Sequence, residues 1–151
     1  MVKNRGAIVL GGHIQGLGIV RSLGDASIPV ILVQSEIISI SMFSRYVKKT
    51  YSSPNPLNQR TFVRFLINLA KEKSLEGWLL FPTNDQQVSA ICNNYALISS
   101  YYKVGFPDSR IVNSVLNKKL TYNLAKDLKI DQPKTFFPKD KNELLALSKK
   151  I

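Results

Sequence analysis

The stretch VLGGHIQGLG, Val9 to Gly18, follows the apolar run Ala7-Ile8-Val9-Leu10. Glycines behind a β-branched run let the backbone take positive φ and let a ligand approach main-chain N–H groups closely. If a helix starts there, its free N–H groups around Ile14 to Leu17 and its dipole favour an anion, phosphate or carboxylate. The one histidine, His13, stands inside this loop. Its charge responds near neutral pH, so it could orient a carboxylate, or it could be a loop residue bonded to backbone. Gln15 could donate its amide to a substrate or be a solvated first-turn residue. Gly11, Gly12, His13, Gln15 and Gly16 form the first candidate substrate-binding group. Asn84 and Asp85, after the run Trp78-Leu79-Leu80-Phe81, form the second. Asp85 could hold an ammonium group, and either residue could cap a helix.

The elements that must position these groups can be read along the chain. Ala7–Leu10 reads as a buried strand stopped by glycine. A helix is expected over about Ile14–Leu23, with Gly24 as its left-handed stop. Pro29 opens a second strand, Val30–Val33. This strand, glycine turn, helix and strand make a βαβ unit with parallel strands. Tyr46–Tyr51 reads as an edge strand, with Lys48 and Lys49 keeping the edge soluble. The group Arg45, Lys48 and Lys49 is open to a second reading, as an anion site.

A helix from about Asn58 to Lys73 presents Phe62, Phe65, Leu66, Leu69 and Ala70 on one face. Trp78–Phe81 is a third buried strand. A helix capped by Asn84 or Asp85 follows, with Val88, Ile91, Cys92 and Tyr95 as its apolar stripe. Val104-Gly105-Phe106 is a short strand. Asp108 is expected to cap a helix through Ile111, Val112, Val115 and Leu116. Leu120, Leu124 and Leu128 line another. The stretch IDQPKTFFP is extended by its prolines. A last helix begins at Asp140, with Glu143 placed for a capping box. Strands alternating with helices predict an α/β fold, Rossmann-like and three-layered, with a mostly parallel sheet.

Two nucleotide-binding patterns fit poorly. Aligned on Gly11 and Gly16, the dinucleotide fingerprint has His13 where its middle glycine belongs. The acid expected after the second strand is missing, since Val33-Gln34-Ser35 precedes a late Glu36. No Gly-Lys-Ser/Thr follows the loop either. Glycines that only make a tight turn remain an alternative, as does a stand-alone Rossmann-like module binding a small molecule or nucleotide.

The 151 residues carry a net charge of +11, which raises the question of nucleic acid. The lysines are spread toward the C-terminal part, and no compact patch with interleaved aromatics forms, so nucleic acid is not expected as a partner. No apolar run approaches the ~20 residues that span a bilayer, and the first apolar stretch breaks at Gly11-Gly12, so neither membrane nor signal peptide is expected. With Cys92 alone, an internal disulfide is ruled out and a cytoplasmic location is the expectation. Cys92, Trp78, Phe62 and Phe65 read as core, and Arg21 as exposed. No Cys/His cluster offers a zinc site. No pair of acids is spaced to hold magnesium.

The opening AIVLGGHIQGLGIVRSLGDASIPVILV resembles that of ATP-grasp ligases, especially the branch of the carbamoyl phosphate synthase large subunit and D-aspartate ligase. LLFPTNDQQV resembles that branch's strand-then-acid segment. VLNKKLTYNLAKDLKIDQPKT resembles its passage toward the ATP-binding lobe, and FFPKDKNELLAL the linker and helix beyond. Asn117 stands where the family often has aspartate before Lys118. The resemblance implies a Rossmann-like pre-ATP-grasp domain over 1–116. Over 117–151 it implies a linker and the start of the ATP-grasp region, cut short.

The resemblance also implies ATP-dependent carboxylate–amine ligation, in which a carboxylate becomes an acylphosphate and an amine displaces the phosphate. ATP and Mg2+ would be held by lobes beyond Ile151. The present residues would serve the small carboxylate or amino-acid substrate and be inactive alone. No residue is assigned a catalytic or metal-binding role, and no cofactor-binding residue is named. The implied partners are that substrate, the downstream lobes of the same polypeptide and, as an open option, a second copy in a homodimer.

Overall fold

The computed structural model describes residues 5–106 and 109–149. By its contacts the chain divides into two compact units, one ending at Val112 and the other starting at Asn113. The first holds a five-stranded, all-parallel sheet in the order β3-β2-β1-β4-β5. Its strands are β1 (Ala7–Leu10), β2 (Val30–Gln34), β3 (Val47–Ser52), β4 (Leu79–Pro82) and β5 (Lys103–Val104). Its helices are α1 (Ile14–Asp25), α2 (Gln59–Lys73), α3 (Asp85–Asn93) and α4 (Tyr95–Ser99), and a 3-10 turn spans Ile40–Phe43. Helix α5 (Ser109–Leu116) crosses the division.

β1 and β2 are buried along their whole length, which is why they read as continuous apolar runs rather than alternating ones. The pleat sends successive side chains to opposite faces. Ile8, Leu10, Ile31 and Val33 meet α2, α3 and α4 through Phe62, Leu66, Leu69, Ile91 and Ile98. Val9, Val30 and Leu32 meet Val20 and Leu23 of α1, with Met42 and Tyr46 beyond. The sheet therefore has helices on both faces, a three-layer Rossmann-like arrangement. β3 is an edge strand, with Lys48 and Lys49 exposed on it as edge protection requires.

Several boundaries differ from the sequence reading. Gly24 does not stop α1, which runs through it to Asp25; the left-handed residue is Ser27 (φ 59°). Gly24 is small for another reason: a Cβ there would run into Tyr46, at 2.5 Å from its Cβ. The helix after β4 breaks at Asn94 into α3 and α4, so Tyr95 begins a new helix. On α2 the buried face includes Val63, while Phe65 is half-buried. β5 is Lys103–Val104, one residue earlier and shorter than expected. Asp108 lies outside the described residues.

Tyr102 is buried beneath α2 and its hydroxyl donates to Leu66 O at 2.7 Å. Burial, and secondarily the charge of Glu76, pushes its phenol above the ordinary value of 10.0. The folded chain thus keeps a proton that the unfolded chain releases. This contribution is intact below the unfolded value and falls as pH rises beyond it, by up to about 1.4 kcal/mol per pH unit. Denaturation at about pH 9 and about pH 11 should show wild type losing more stability than Tyr102→Phe over that interval; equal losses would contradict the assignment.

The second unit has α6 (Lys118–Asp127) and α7 (Lys141–Ser148), joined by an extended segment. Asn117 caps α6, accepting the Lys119 and Leu120 N–H groups, so it serves as a cap without aspartate's charge. Asp140 caps α7 by accepting the Glu143 N–H at 2.8 Å. The reciprocal bond differs from a capping box: Glu143 Oε2 accepts from Lys139 N–H, at 2.7 Å, one residue before the cap. Tyr122 and Phe137 meet edge-to-face, centroids 5.9 Å apart.

Candidate functional site

The strand order places β1 at the centre, with β2 on one side and β4 on the other. The chain builds outward from β1 to β3, then returns to build β4 and β5 on the opposite side. The switch point therefore lies between β1 and β4, and ligands in open α/β sheets bind beyond the carboxyl ends of such strands. Gly11–Gly16 follows β1 and Thr83–Asp85 follows β4. The two candidate groups named from sequence thus follow the carboxyl ends of the adjacent strands β1 and β4.

The glycines of the loop have different causes. Gly11 takes φ +92°, a conformation that favours glycine, and a Cβ there would stand 2.5 Å from Thr83 Oγ1. Gly12 and Gly16 are required by crowding alone. A Cβ on Gly12 would press into Ser39 and lie 2.5 Å from Gln34 Oε1; one on Gly16 would strike Gly11 O. The 3-10 turn fixes the loop from outside: Ser41 donates to Gly12 O through both its N–H (3.1 Å) and its hydroxyl (2.8 Å). Ser39 donates to Gln34 Oε1, and Gln34 Nε2 donates to Glu36 O at 2.8 Å.

Helix α1 begins at this loop without a capping side chain; His13 sits at the cap position in extended conformation. By contrast α2, α3, α6 and α7 are each capped, by Asn58, Asn84, Asn117 and Asp140. The first-turn N–H groups of α1 are thus open to an outside acceptor. Leu17 is not among them, because its N–H donates to His13 O at 2.9 Å. His13 is exposed, and its Nε2 lies 3.3 Å from Glu36 Oε1. An exposed pair of this kind adds little stability. Glu36 Oε2 is buried with no hydrogen-bond partner among the described residues. Gln15 is exposed in the first turn, beside buried Gly16.

After β4, Thr83 Oγ1 donates to Leu10 O at 2.6 Å, tying that turn to the end of β1. Asn84 is the cap of α3, accepting the Gln87 N–H at 2.9 Å. Asp85 is exposed in the first turn and lines a recess with Pro56, Leu57, Gln86 and Ser89, on the α2 side. Asn84 and Asp85 therefore divide the two readings between them: one caps, the other is free in solvent. Replacing Asn84 by alanine should cost about 1 kcal/mol of stability, whereas Asp85→Asn should stay within about 0.5 kcal/mol. Urea midpoints read both, and equal costs would contradict the division.

Thr83, Glu36 and Gln87 join the site without a sequence signal of their own. In the sequence Glu36 reads only as a displaced ribose acid, and its actual neighbour is His13, 23 residues away.

Among the described residues no group of three or more His, Cys, Asp or Glu side chains could hold a metal ion. The phosphate-gripping lysines of an ATP site have no counterpart in the loop. The donor set does not fit ATP with magnesium, and no chemistry is assigned to them in this chain. No described helix is long and apolar enough to cross a membrane.

No family model and no curated protein matches the sequence. Solved structures do match. Glycinamide-RNase-transformylase T from Mycobacterium tuberculosis aligns with TM-score 0.66 and 16% identity, over 95% of this chain and 38% of its own. L-amino acid ligase from Bacillus licheniformis aligns with TM-score 0.65 and 12% identity, over 97% and 41%. The biotin carboxylase domain of the Hydrogenobacter thermophilus 2-oxoglutarate carboxylase, solved with MgADP and bicarbonate, aligns with TM-score 0.62 and 16% identity, over 96% and 32%. This chain thus spans less than half the length of each. These neighbours are ATP-grasp enzymes, and the chain has the Rossmann-like α/β fold that they share.

Proposed function

We propose that this chain is the N-terminal, substrate-side domain of an ATP-dependent carboxylate–amine ligase of the ATP-grasp kind. The observation that carries the reading is the uncapped start of α1 behind Gly11-Gly12, at the switch point of a fold shared with such enzymes. Gly11, Gly12 and Gly16 shape the loop, and first-turn N–H groups receive a substrate carboxylate. His13, carried at the cap position and steadied by Glu36, faces the same solvent and orients that carboxylate. Gln15 adds an amide donor, and Asp85 answers a substrate ammonium group.

ATP and Mg2+ belong, in this reading, to lobes outside residues 1–151. The domain boundary proposed is 1–116, with 117–151 leading toward those lobes. By itself the chain is inactive; its partners are the substrate, the ATP-grasp lobes and, in some assemblies, a second copy. The cytoplasm is the proposed location.

The test is an assay of ADP release by the natural polypeptide that carries this sequence, with candidate carboxylates and amines. Release that needs both substrates and is lost in Gly12→Val supports the reading. Release indifferent to Gly12→Val, in a variant shown to be folded, would count against the loop as the substrate site.

A further inference from the structure

Helix α2 carries Arg60, Arg64 and Lys71 at a spacing that sets all three on one stripe, about 40° wide at roughly 100° per residue. Glu72, the one acid of α2, stands roughly 80–120° round the helix from them. Like charges one turn apart repel, so Arg60 and Arg64 oppose each other unless an anion answers them. Among the described residues the one ion pair is His13–Glu36, so none of the three cations has a carboxylate partner there. Lys71 instead rests over the Tyr101 ring, 5.2 Å from its centroid, just past α4. Beside the stripe, α2 and α4 leave a groove of about 520 Å3, lined by Val63, Ile67 and Leu97 together with both arginines. Leu97 is 49% exposed there, on a helix that holds no charged residue. Asp85, at the start of α3, lines a different recess and pairs with neither arginine.

We propose that the groove between α2 and α4 docks an acidic amphipathic helix of a partner protein. Its apolar face lies on Val63, Ile67 and Leu97, and carboxylates one turn apart on its flank meet Arg60 and Arg64. A further acid about two turns on meets Lys71, since Arg60 to Lys71 spans about 16 Å of helix. Charge and apolar lining together select this occupant. A second copy of the chain would bring the same excess of positive charge, +11. The backbone of a nucleic acid would satisfy the arginines but offer only phosphate and sugar to the apolar side chains. Helices α2 and α4 cover the face of the sheet opposite α1, so this surface is independent of the reading of the loop at Gly11-Gly12.

The experiment is fluorescence anisotropy of the full chain with a labelled helix-forming peptide. The peptide has leucine at i, i+3, i+4 and i+7 and glutamates one turn apart beside them. Its twin has glutamine for every glutamate, and a short DNA duplex and phosphatidylglycerol vesicles serve as the other anionic probes. The glutamate peptide should bind saturably and at least about ten-fold tighter than its twin, and amide NMR should place the shifts on Val63, Ile67 and Leu97. The double variant Arg60→Gln, Arg64→Gln should erase the difference between the two peptides, whereas Leu97→Ser should weaken both. All three positions are exposed, so the variants leave the core untouched. No binding of the glutamate peptide, equal binding of the twins, or full affinity in the double variant would overturn the proposal. Shifts confined to other elements would overturn it without any variant. Tighter binding of the duplex or the vesicles through Arg60 and Arg64 would overturn it in favour of a nucleic acid or a lipid surface.

Discussion

Gly16→Ala should destabilise the chain by about 1–3 kcal/mol and silence the loop, whereas Gly18→Ala, two residues on in the same helix, should stabilise it by about 0.5–1 kcal/mol. A Cβ on Gly16 would collide with Gly11 O, which is backbone and cannot swing aside. To make room, α1 must lift from the carboxyl end of β1, opening the loop that Ser41 and Thr83 hold in place. Gly18 has nothing within 4 Å of its Cβ direction and is exposed. Alanine there reduces the freedom of the unfolded chain at no steric cost. Urea denaturation of the two variants reads the contrast, and effects of the same sign would contradict the packing described for Gly16.

Leu66→Ala should cost about 2–5 kcal/mol, a larger loss than at Gly16. Leu66 is 0% exposed, on the face of α2 that meets Ile8, Leu10 and Leu80 of the sheet. Its carbonyl also accepts the Tyr102 hydroxyl, so a cavity at this point loosens a polar anchor under the helix. Leu66 belongs to a layer closed by strands on one side and α3 and α4 beyond, which limits collapse around the void. Ile37→Ala, at 92% exposed, should stay within about 0.5 kcal/mol. Calorimetric unfolding would compare them, and a loss below about 1 kcal/mol at Leu66 would place it outside the core.

What is legible in the sequence follows the range of the interactions involved. β1, β2 and the α2 face can be read because burial on both sides of a sheet, or on one side of a helix, leaves a local pattern. Asn84 and Asp140 can be named as caps because a cap acts on N–H groups within a few residues. Gly24 misleads because its constraint comes from the Tyr46 ring, across the fold, and not from the end of α1. The break at Asn94 leaves no glycine or proline to mark it.

The candidate site shows the same division. Gly11 and Gly12 announce themselves by composition and position behind a strand. Thr83 meets Leu10 from 73 residues away, and Ser41 meets Gly12 from 29, so nothing near either residue announces the contact. Gln87 is hidden further, since a glutamine in the first turn of a helix reads as solvated. In the structure it is buried, and its Oε1 accepts the Thr83 N–H at 2.8 Å.

The most direct test of the central claim is an amide NMR titration of the chain with a panel of free amino acids and dicarboxylates, and separately with MgATP. The account predicts saturable shifts at Gly11, Gly12 and Gly16 with at least one carboxylate, and none at those amides with MgATP. Saturation of the loop by MgATP, with the carboxylates inert, would contradict it and make the loop a nucleotide site.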